Sequence, residues 1–350
     1  MHATILNHKG FTSGGEFSAD GRFVLTGCSS TTIGSQARLW EGKTGRPASE
    51  WIALGAFDHT VSIGFSPCGD KFLTGGQDRF IRIHDTCSGT TTAAFAMKST
   101  ITAAIWSPNG ESLIVACQNK SLQILSASTG EPHFAKLKVA RAPVSKGHAE
   151  SLQVSPDNRW LAVVAGLNIT LIDMSNGTLG PTLKHRLRVT SFVWRDRNRL
   201  ITASDDYILR EWQISAGTPS REIYRTPRWI WTLQSSRDGK RLLIGTEDVM
   251  LGDGHCGHAE VIDVDSGKPL TDWLRHDGTT LAVFSPDESR IATGSSDLTV
   301  AIWDVRSGKL LYRYRHGSMV RGIRFNRAGD RLLVIGGLKA AILKVPKRRP

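Results

Sequence analysis

Cysteine is scarce and poorly spaced for cross-linking. The 350-residue chain has five, Cys28, Cys68, Cys87, Cys117 and Cys256. The number is odd and no CxxC occurs, which argues against a disulfide scaffold and fits a reducing compartment. Long apolar runs are missing as well: stretches such as 161–165 are strand-sized, far short of the roughly 20 residues that cross a bilayer. The first ten residues, MHATILNHKG, lack the apolar run of a secretory signal, so the expected address is the cytoplasm, without membrane insertion. No 3.6-residue period is sustained, and no GxxxxGK[ST], GxSxG or HExxH is present, so neither a cofactor nor a catalytic residue is assigned. Acidic residues are the minority: 44 Lys+Arg against 32 Asp+Glu give a net charge of +12, which bears on partners and not on fold. The chain is 40% hydrophobic and 22% charged, enough to bury a core and too much for a wholly disordered polymer.

What the chain has instead is repetition. A unit of the form F-S-P-D-G followed by a strand begins at Phe17, Phe65, Trp106, Val154, Trp194, Ser235, Phe284 and Phe325. The spacings are 48, 41, 48, 40, 41, 49 and 41 residues, a period near 41 with three insertions. Each unit repeats one logic. A short alternating segment such as VSIGF (61–65) leads into a turn where Pro presets φ and Gly takes backbone other residues avoid. A second segment follows (KFLTG, 71–75), then a third that often ends near Trp-Asp (VAIWD, 300–304). A T-G or S-G turn and a fourth segment close the unit. Four short strands bounded by turns mean antiparallel all-β structure. One such unit cannot bury both faces, so copies must pack face to face.

These features resemble WD-repeat β-propellers of the divergent bacterial kind, and the resemblance covers nearly the whole chain; residues 284–310, FSPDESRIATGSSDLTVAIWDVRSGKL, match best. The expected fold is a single eight-bladed propeller over residues 1–350 with a basic tail at 346–350; a seven-bladed ring is the alternative. The last unit offers only three strand candidates, 320–325, 331–335 and 340–345, while ATILN (3–7) is unclaimed. In the family a strand from the opposite terminus commonly completes the last blade, so 3–7 is expected to cover that otherwise open edge.

The resemblance also implies a buried hydrogen-bond relay of His, Ser/Thr, Asp and Trp. Two units could hold all four: His185, Ser204, Asp206 and Trp212, and His276, Ser295, Asp297 and Trp303. The expected role is structural, because polar groups forced into a β core must be satisfied. The insertion 246–260 gathers Asp253, His255, Cys256 and His258, which are metal-ligand types, but three ligand types within six residues of a Gly-rich loop match no standard structural zinc spacing, and no metal is assigned. A second insertion, 28–37, sits at the same place in the first unit, and the two are candidate recognition loops.

Charge is uneven. Residues 319–350 carry nine Lys/Arg and one acid, Asp330, and a second cluster comprises Arg186, Arg188, Arg195, Arg197 and Arg199; residues 228–278 hold nine acids and six bases. Basic surface steers acidic partners or binds phosphate backbones; nucleic acid would be favoured by interleaved aromatics, of which the last unit offers only Phe325, so it is the less favoured partner. Candidate binding residues are Arg321 and Arg324 from the basic region, and Arg228, Trp229 and Trp231, Trp and Arg being the types enriched at hot spots. Alternation places the two Trp on one side of a strand. The expected function is a non-catalytic protein–protein interaction scaffold presenting a rigid surface to an acidic protein. The alternatives are a propeller enzyme of hydrolase or lyase type, or a small-ligand sensor, with its site in the central channel.

Overall fold

The computed structural model describes residues 3–55, 62–135, 137–138, 151–247 and 257–346. Among them the strands assemble into eight four-stranded antiparallel sheets, and no helix is long and apolar enough to cross a membrane. The chain divides into two compact units, residues 1–147, 175–177 and 324–350 forming the first and 148–174 and 178–323 the second.

In the first unit, blade 1 is built from Phe11–Phe17, Phe23–Ser30, Gly34–Glu41 and Ile52–Ala53, and blade 2 from Ser62–Phe65, Lys71–Gly75, Phe80–Asp85 and Thr91–Ala96. Blade 3 comprises Ile101–Trp106, Ser112–Cys117, Ser121–Ser126 and Leu137–Lys138. Blade 8 takes Arg331–Gly336 and Lys339–Lys344 from this unit, its outer strand is Ala3–Asn7 from the other end of the chain, and its remaining strand, Gly322–Phe325, begins in the second unit. The register runs from Ala3 opposite Leu343 to Asn7 opposite Lys339. In the second unit, blade 4 comprises Leu152–Val154, Trp160–Ala165, Asn168–Asp173 and Leu179–Lys184, and blade 5 Val189–Trp194, Arg199–Ser204, Ile208–Gln213 and Thr218–Arg225. Blade 6 comprises Trp229–Ser235, Arg241–Glu247, Gly257–Asp263 and Leu274–His276, and blade 7 Thr280–Phe284, Arg290–Ser295, Thr299–Asp304 and Leu310–Arg315. The fold class is the all-β, eight-bladed propeller with the N-terminal strand completing the last blade; eight separate sheets leave no place for the seven-bladed alternative.

The S-x-D turn has a clear chemical basis. The serine hydroxyl accepts the N–H five residues on, as in Phe23 to Ser18 (3.0 Å), Lys71 to Ser66 (3.1 Å), Ser112 to Ser107 (2.9 Å) and Arg290 to Ser285 (3.0 Å). It donates in turn to the carboxylate two residues on, Ser18 to Asp20 at 2.6 Å and Ser285 to Asp287 at 2.5 Å. The following position needs positive φ: Gly69 has φ 80°, and where the motif departs from glycine, Asn158 (60°) and Glu288 (55°) accept the same conformation.

The second and third strands of each blade carry the core, and their apolar faces pack onto the neighbouring blade within each unit. Leu6, Val24, Trp40, Leu333, Ile335, Ala340 and Ile342 form one such layer, and Leu243, Ala259, Val261, Ala282, Phe284, Ile291 and Trp303 another. Side chains also cross from blade to blade: Gln153 Nε2 donates to the Phe192 carbonyl at 3.0 Å, and Trp106 Nε1 to the Gly64 carbonyl at 3.1 Å. The 28–37 insertion lengthens a hairpin: Cys28, Ser29 and Ser30 pair with Gln36, Ser35 and Gly34.

Candidate functional site

The buried polar groups of the blades come first, because they must be separated from groups free to act. In blade 7, Trp303 Nε1 donates to Thr293 Oγ1 at 2.7 Å, and the same hydroxyl meets His276 Nε2 at 2.6 Å. His276 Nδ1 lies 2.9 Å from Asp297 Oδ2, and Thr299 Oγ1 donates to Asp297 Oδ1 at 2.7 Å. One assignment satisfies all four residues: Nδ1–H donates to the carboxylate, Nε2 accepts the Thr293 O–H, and Thr293 accepts the indole N–H. Burial works to raise the Asp297 pKa, but the bonds from His276 and Thr299 outweigh it and hold the carboxyl well below its usual range.

Blade 5 repeats the upper half only. Trp212 Nε1 and His185 Nε2 meet Thr202 Oγ1 at 2.9 and 2.8 Å, while His185 Nδ1 faces the Leu183 carbonyl at 3.3 Å. Asp206 turns away to Arg210, at 2.6 Å. Neither serine named from the sequence bridges Trp to His. Ser204 donates to the Leu187 carbonyl at 3.2 Å, and Ser295 accepts the Asp297 N–H at 3.2 Å. The bridging hydroxyl belongs to a threonine two residues earlier, in the middle of the second strand, where it faces the layer holding the indole.

That threonine is the missed signal. Thr26, Thr74, Thr202 and Thr293 occupy one register position and are fully buried. Thr26 joins Trp40 Nε1 and His8 Nε2, each at 2.7 Å, so blade 1 holds the same trio. In blade 2 His84 takes the Trp place, meeting Thr74 at 2.8 Å and stacking on Phe72 with centroids 4.6 Å apart. Burial lowers the pKa of His8, His84 and His185 to about 4.

The remaining candidates are placed as follows. Trp229 and Trp231 are half-buried on the first strand of blade 6, and Trp231 donates to the Glu247 carboxylate. A bulge falls between Ile230 and Thr232, so the two-residue period that would put both Trp on one side does not run through Trp231. Arg228, also half-buried, lies over the Trp273 ring at 5.1 Å. Arg321 and Arg324 are exposed on either side of buried Ile323. Of the metal-type residues, Asp253, His255 and Cys256 lie outside the described residues. His258 is a strand residue, 2% exposed, hydrogen-bonded to Thr246 Oγ1 at 3.0 Å and stacked on Trp273 at 4.4 Å. Among the described residues no group of three His, Cys, Asp or Glu is placed to hold a metal.

Two features of the second unit were not legible from the sequence. Glu211, 5% exposed, is clasped by Arg195 at 2.6 Å and Arg221 at 2.9 Å, and Arg195 also reaches Asp265 at 2.7 Å. Burial pushes the Glu211 pKa up, but the two guanidiniums prevail and lower it. Part of the sequence-defined basic cluster is therefore consumed internally; beside it an open cleft of about 750 Å³ is lined by Arg195, Arg197, Arg199 and Arg237 together with Asp157, Asp196 and Asp238. The outer strand of blade 7, LLYRYR, is the second feature. It exposes Leu310, Leu311 and Tyr312 beside Arg313 and Arg315, and its six residues contain no acid.

Comparison with known proteins places this architecture. Residues 51–85 and 267–304 match the model of the WD domain, G-beta repeat. Each match covers the outer strand of one blade and three strands of the next, the same one-strand offset that makes residues 3–7 complete blade 8. The chain is 22% identical over 268 residues to apoptotic protease-activating factor 1 of Rattus norvegicus, covering 76% of this chain and 20% of that protein. It is 27% identical over 168 residues to the COMPASS component SWD3 of Saccharomyces cerevisiae, covering 47% of this chain and 50% of that one. The chain thus spans about a fifth and a half of these relatives. The crystal structure of the C-terminal WD40 domain of Sif2 superposes with a TM-score of 0.75 at 16% identity over 98% of this chain and 97% of that one. Two segments of the chain thus match WD repeats, and its fold is an eight-bladed β-propeller.

Proposed function

We propose that the chain is a non-catalytic interaction scaffold whose surface takes an acidic protein partner. The observation that carries this reading is the outer strand Leu310–Arg315. An outer strand has one unpaired edge, and this one is six residues long, free of proline, apolar on its exposed side chains and cationic at Arg313 and Arg315. Exposed apolar side chains rimmed by one sign of charge mark interaction sites, and unpaired strand edges accept another strand. The buried His and Trp of the blades support the scaffold reading in another way, since their ring nitrogens are spent on a shared threonine. The relatives' names point the same way, SWD3 being a component of COMPASS.

The test is retention of acidic proteins by the immobilised full chain against its Arg313→Glu/Arg315→Glu variant, quantified by mass spectrometry. Both positions are exposed, so the variant keeps its thermal transition. Retention of a defined acidic protein should fall at least about tenfold and weaken as salt is raised. Equal retention by both chains would refute the assignment.

A further inference from the structure

Blade 6 is the acidic part of a basic chain, with nine Asp/Glu and six Lys/Arg in residues 228–278. At one register position of the third strand, opposite Thr26, Thr74 and Thr202, blades 1, 2 and 5 carry Arg38, Arg82 and Arg210. Blade 6 carries Glu260 there, opposite Ile244. Arg82 and Arg210 close on Asp78 and Asp206 at 2.6 Å, and Arg38 lies over the Trp51 ring at 4.8 Å. Trp51 precedes Ile52, which pairs with Ala37; Trp273 precedes Leu274, which pairs with Ala259. The two corners are equivalent in register: the tryptophan is kept and the charge beside it is inverted.

Glu260 is 2% exposed. Its carboxylate receives the Tyr224 hydroxyl at 2.9 Å and the Trp273 indole N–H, both neutral donors, and among the described residues no salt bridge reaches it. Arg228 and Arg275 lie on the Trp273 ring instead, at 5.1 and 5.5 Å. Yet Glu260 borders a cleft of about 540 Å³, shared with Pro269, Thr271, Asp272, Trp273 and Arg275. The outer strand beside the cleft is only three residues long. The segment before it holds on through the Leu270 N–H to the Val261 carbonyl (2.7 Å) and through Thr271 Oγ1, which accepts the Val261 N–H at 3.1 Å in place of a strand carbonyl.

We propose that this cleft is a binding site for a guanidinium, supplied by an arginine side chain of a partner protein, with Glu260 as its counter-ion. A buried carboxylate without a cation is costly, and a guanidinium repays most because it is weakly hydrated and offers two parallel N–H donors. The site rests on the scaffold reading only for the source of the arginine, not for its chemistry. Burial holds the Glu260 carboxyl above its usual range, so binding strengthens as pH rises through its titration. Tyr224, Arg228, His258, Asp272 and Arg275 are the other titratable or charged groups facing the corner.

The experiment follows the Trp273 indole N–H resonance of the full chain, assigned with Trp273→Phe, during titration with N-acetyl-arginine amide or N-acetyl-lysine amide. The expected result is a saturable shift with the arginine probe, weaker binding of the lysine probe, and at least about tenfold loss in Glu260→Gln, which keeps the Tyr224 hydrogen bond and the shape. A lysine probe that binds as well overturns the guanidinium assignment. Binding that appears only in Arg275→Ala overturns the proposal, because the chain's own arginine is then the occupant. No saturable shift in either background overturns it as well. Failure here leaves retention through Arg313 and Arg315 unchanged, so the two readings fail separately.

Discussion

Strand Ala3–Asn7 offers a sharp test, because adjacent residues on it face opposite environments. Leu6 is fully buried against Val24, Trp40, Leu333 and Ile342, whereas Ile5 is 41% exposed. Leu6→Ala removes a fully packed side chain and should cost about 3 kcal/mol, within the 2–5 kcal/mol of such truncations. Ile5→Ala should cost well under 1 kcal/mol. With an unfolding entropy of about 2.1 cal/mol/K per residue, 3 kcal/mol lowers Tm by about 4 °C if the whole chain melts together. If the first unit, about half the chain, melts alone, the shift is about 8 °C. Differential scanning calorimetry reads both the shift and the number of transitions. Deleting residues 1–9 also removes five strand pairs and the His8 bond to Thr26, and should lower Tm more than twice as far. Equal effects of Leu6→Ala and Ile5→Ala, or an unchanged transition after the deletion, would show that this strand does not seal blade 8.

Three further outcomes follow. Thr202→Val keeps the shape but strands the Trp212 indole and His185, and should cost about 1–3 kcal/mol in urea unfolding, while Thr202→Ser stays within about 1 kcal/mol. His8, His84 and His185 titrate near 4 when folded and near 6.5 when unfolded, so the unfolded chain binds more protons between these values. Their stabilisation is complete above pH 6.5 and is lost as pH falls toward 4, by up to about 3 kcal/mol each at 1.36 kcal/mol per unit; urea midpoints at pH 7.5 and 5 test this, and His84→Gln should flatten the difference. Glu211→Ala leaves Arg195 with only the exposed Asp265 as counter-ion and should cost about 2–3 kcal/mol, whereas exposed Glu222→Ala should be near neutral on the same denaturation curve.

Periodicity carried the fold because each copy repeats local chemistry. The S-x-D clamp and the positive-φ turn lie within a few residues, so they could be read from Phe17 to Phe325 without knowing what packs on what. The site residues were less legible for the same reason. Ser204 and Ser295 stand beside the motif in the sequence and share a strand face with Thr202 and Thr293, but they lie two residues, about 7 Å, further along the strand from the indole and bond to nearby backbone instead. The pair Trp229 and Trp231 looked like one face until a bulge intervened, and bulges leave no reliable mark in composition.

The sequence by itself determined the eight copies and their four-stranded make-up, because turn signals and hydrophobic alternation are properties of short segments. That residues 3–7 complete the last blade came from the unclaimed segment ATILN together with the resemblance to WD-repeat propellers, and the eight separate sheets decided against the seven-bladed alternative. Only the tertiary structure decided which hydroxyl bridges Trp to His, that Arg195 is spent on Glu211, and that Glu260 lies buried without a cation. Each of these is a relation between side chains ten or more residues apart, set by register and blade packing.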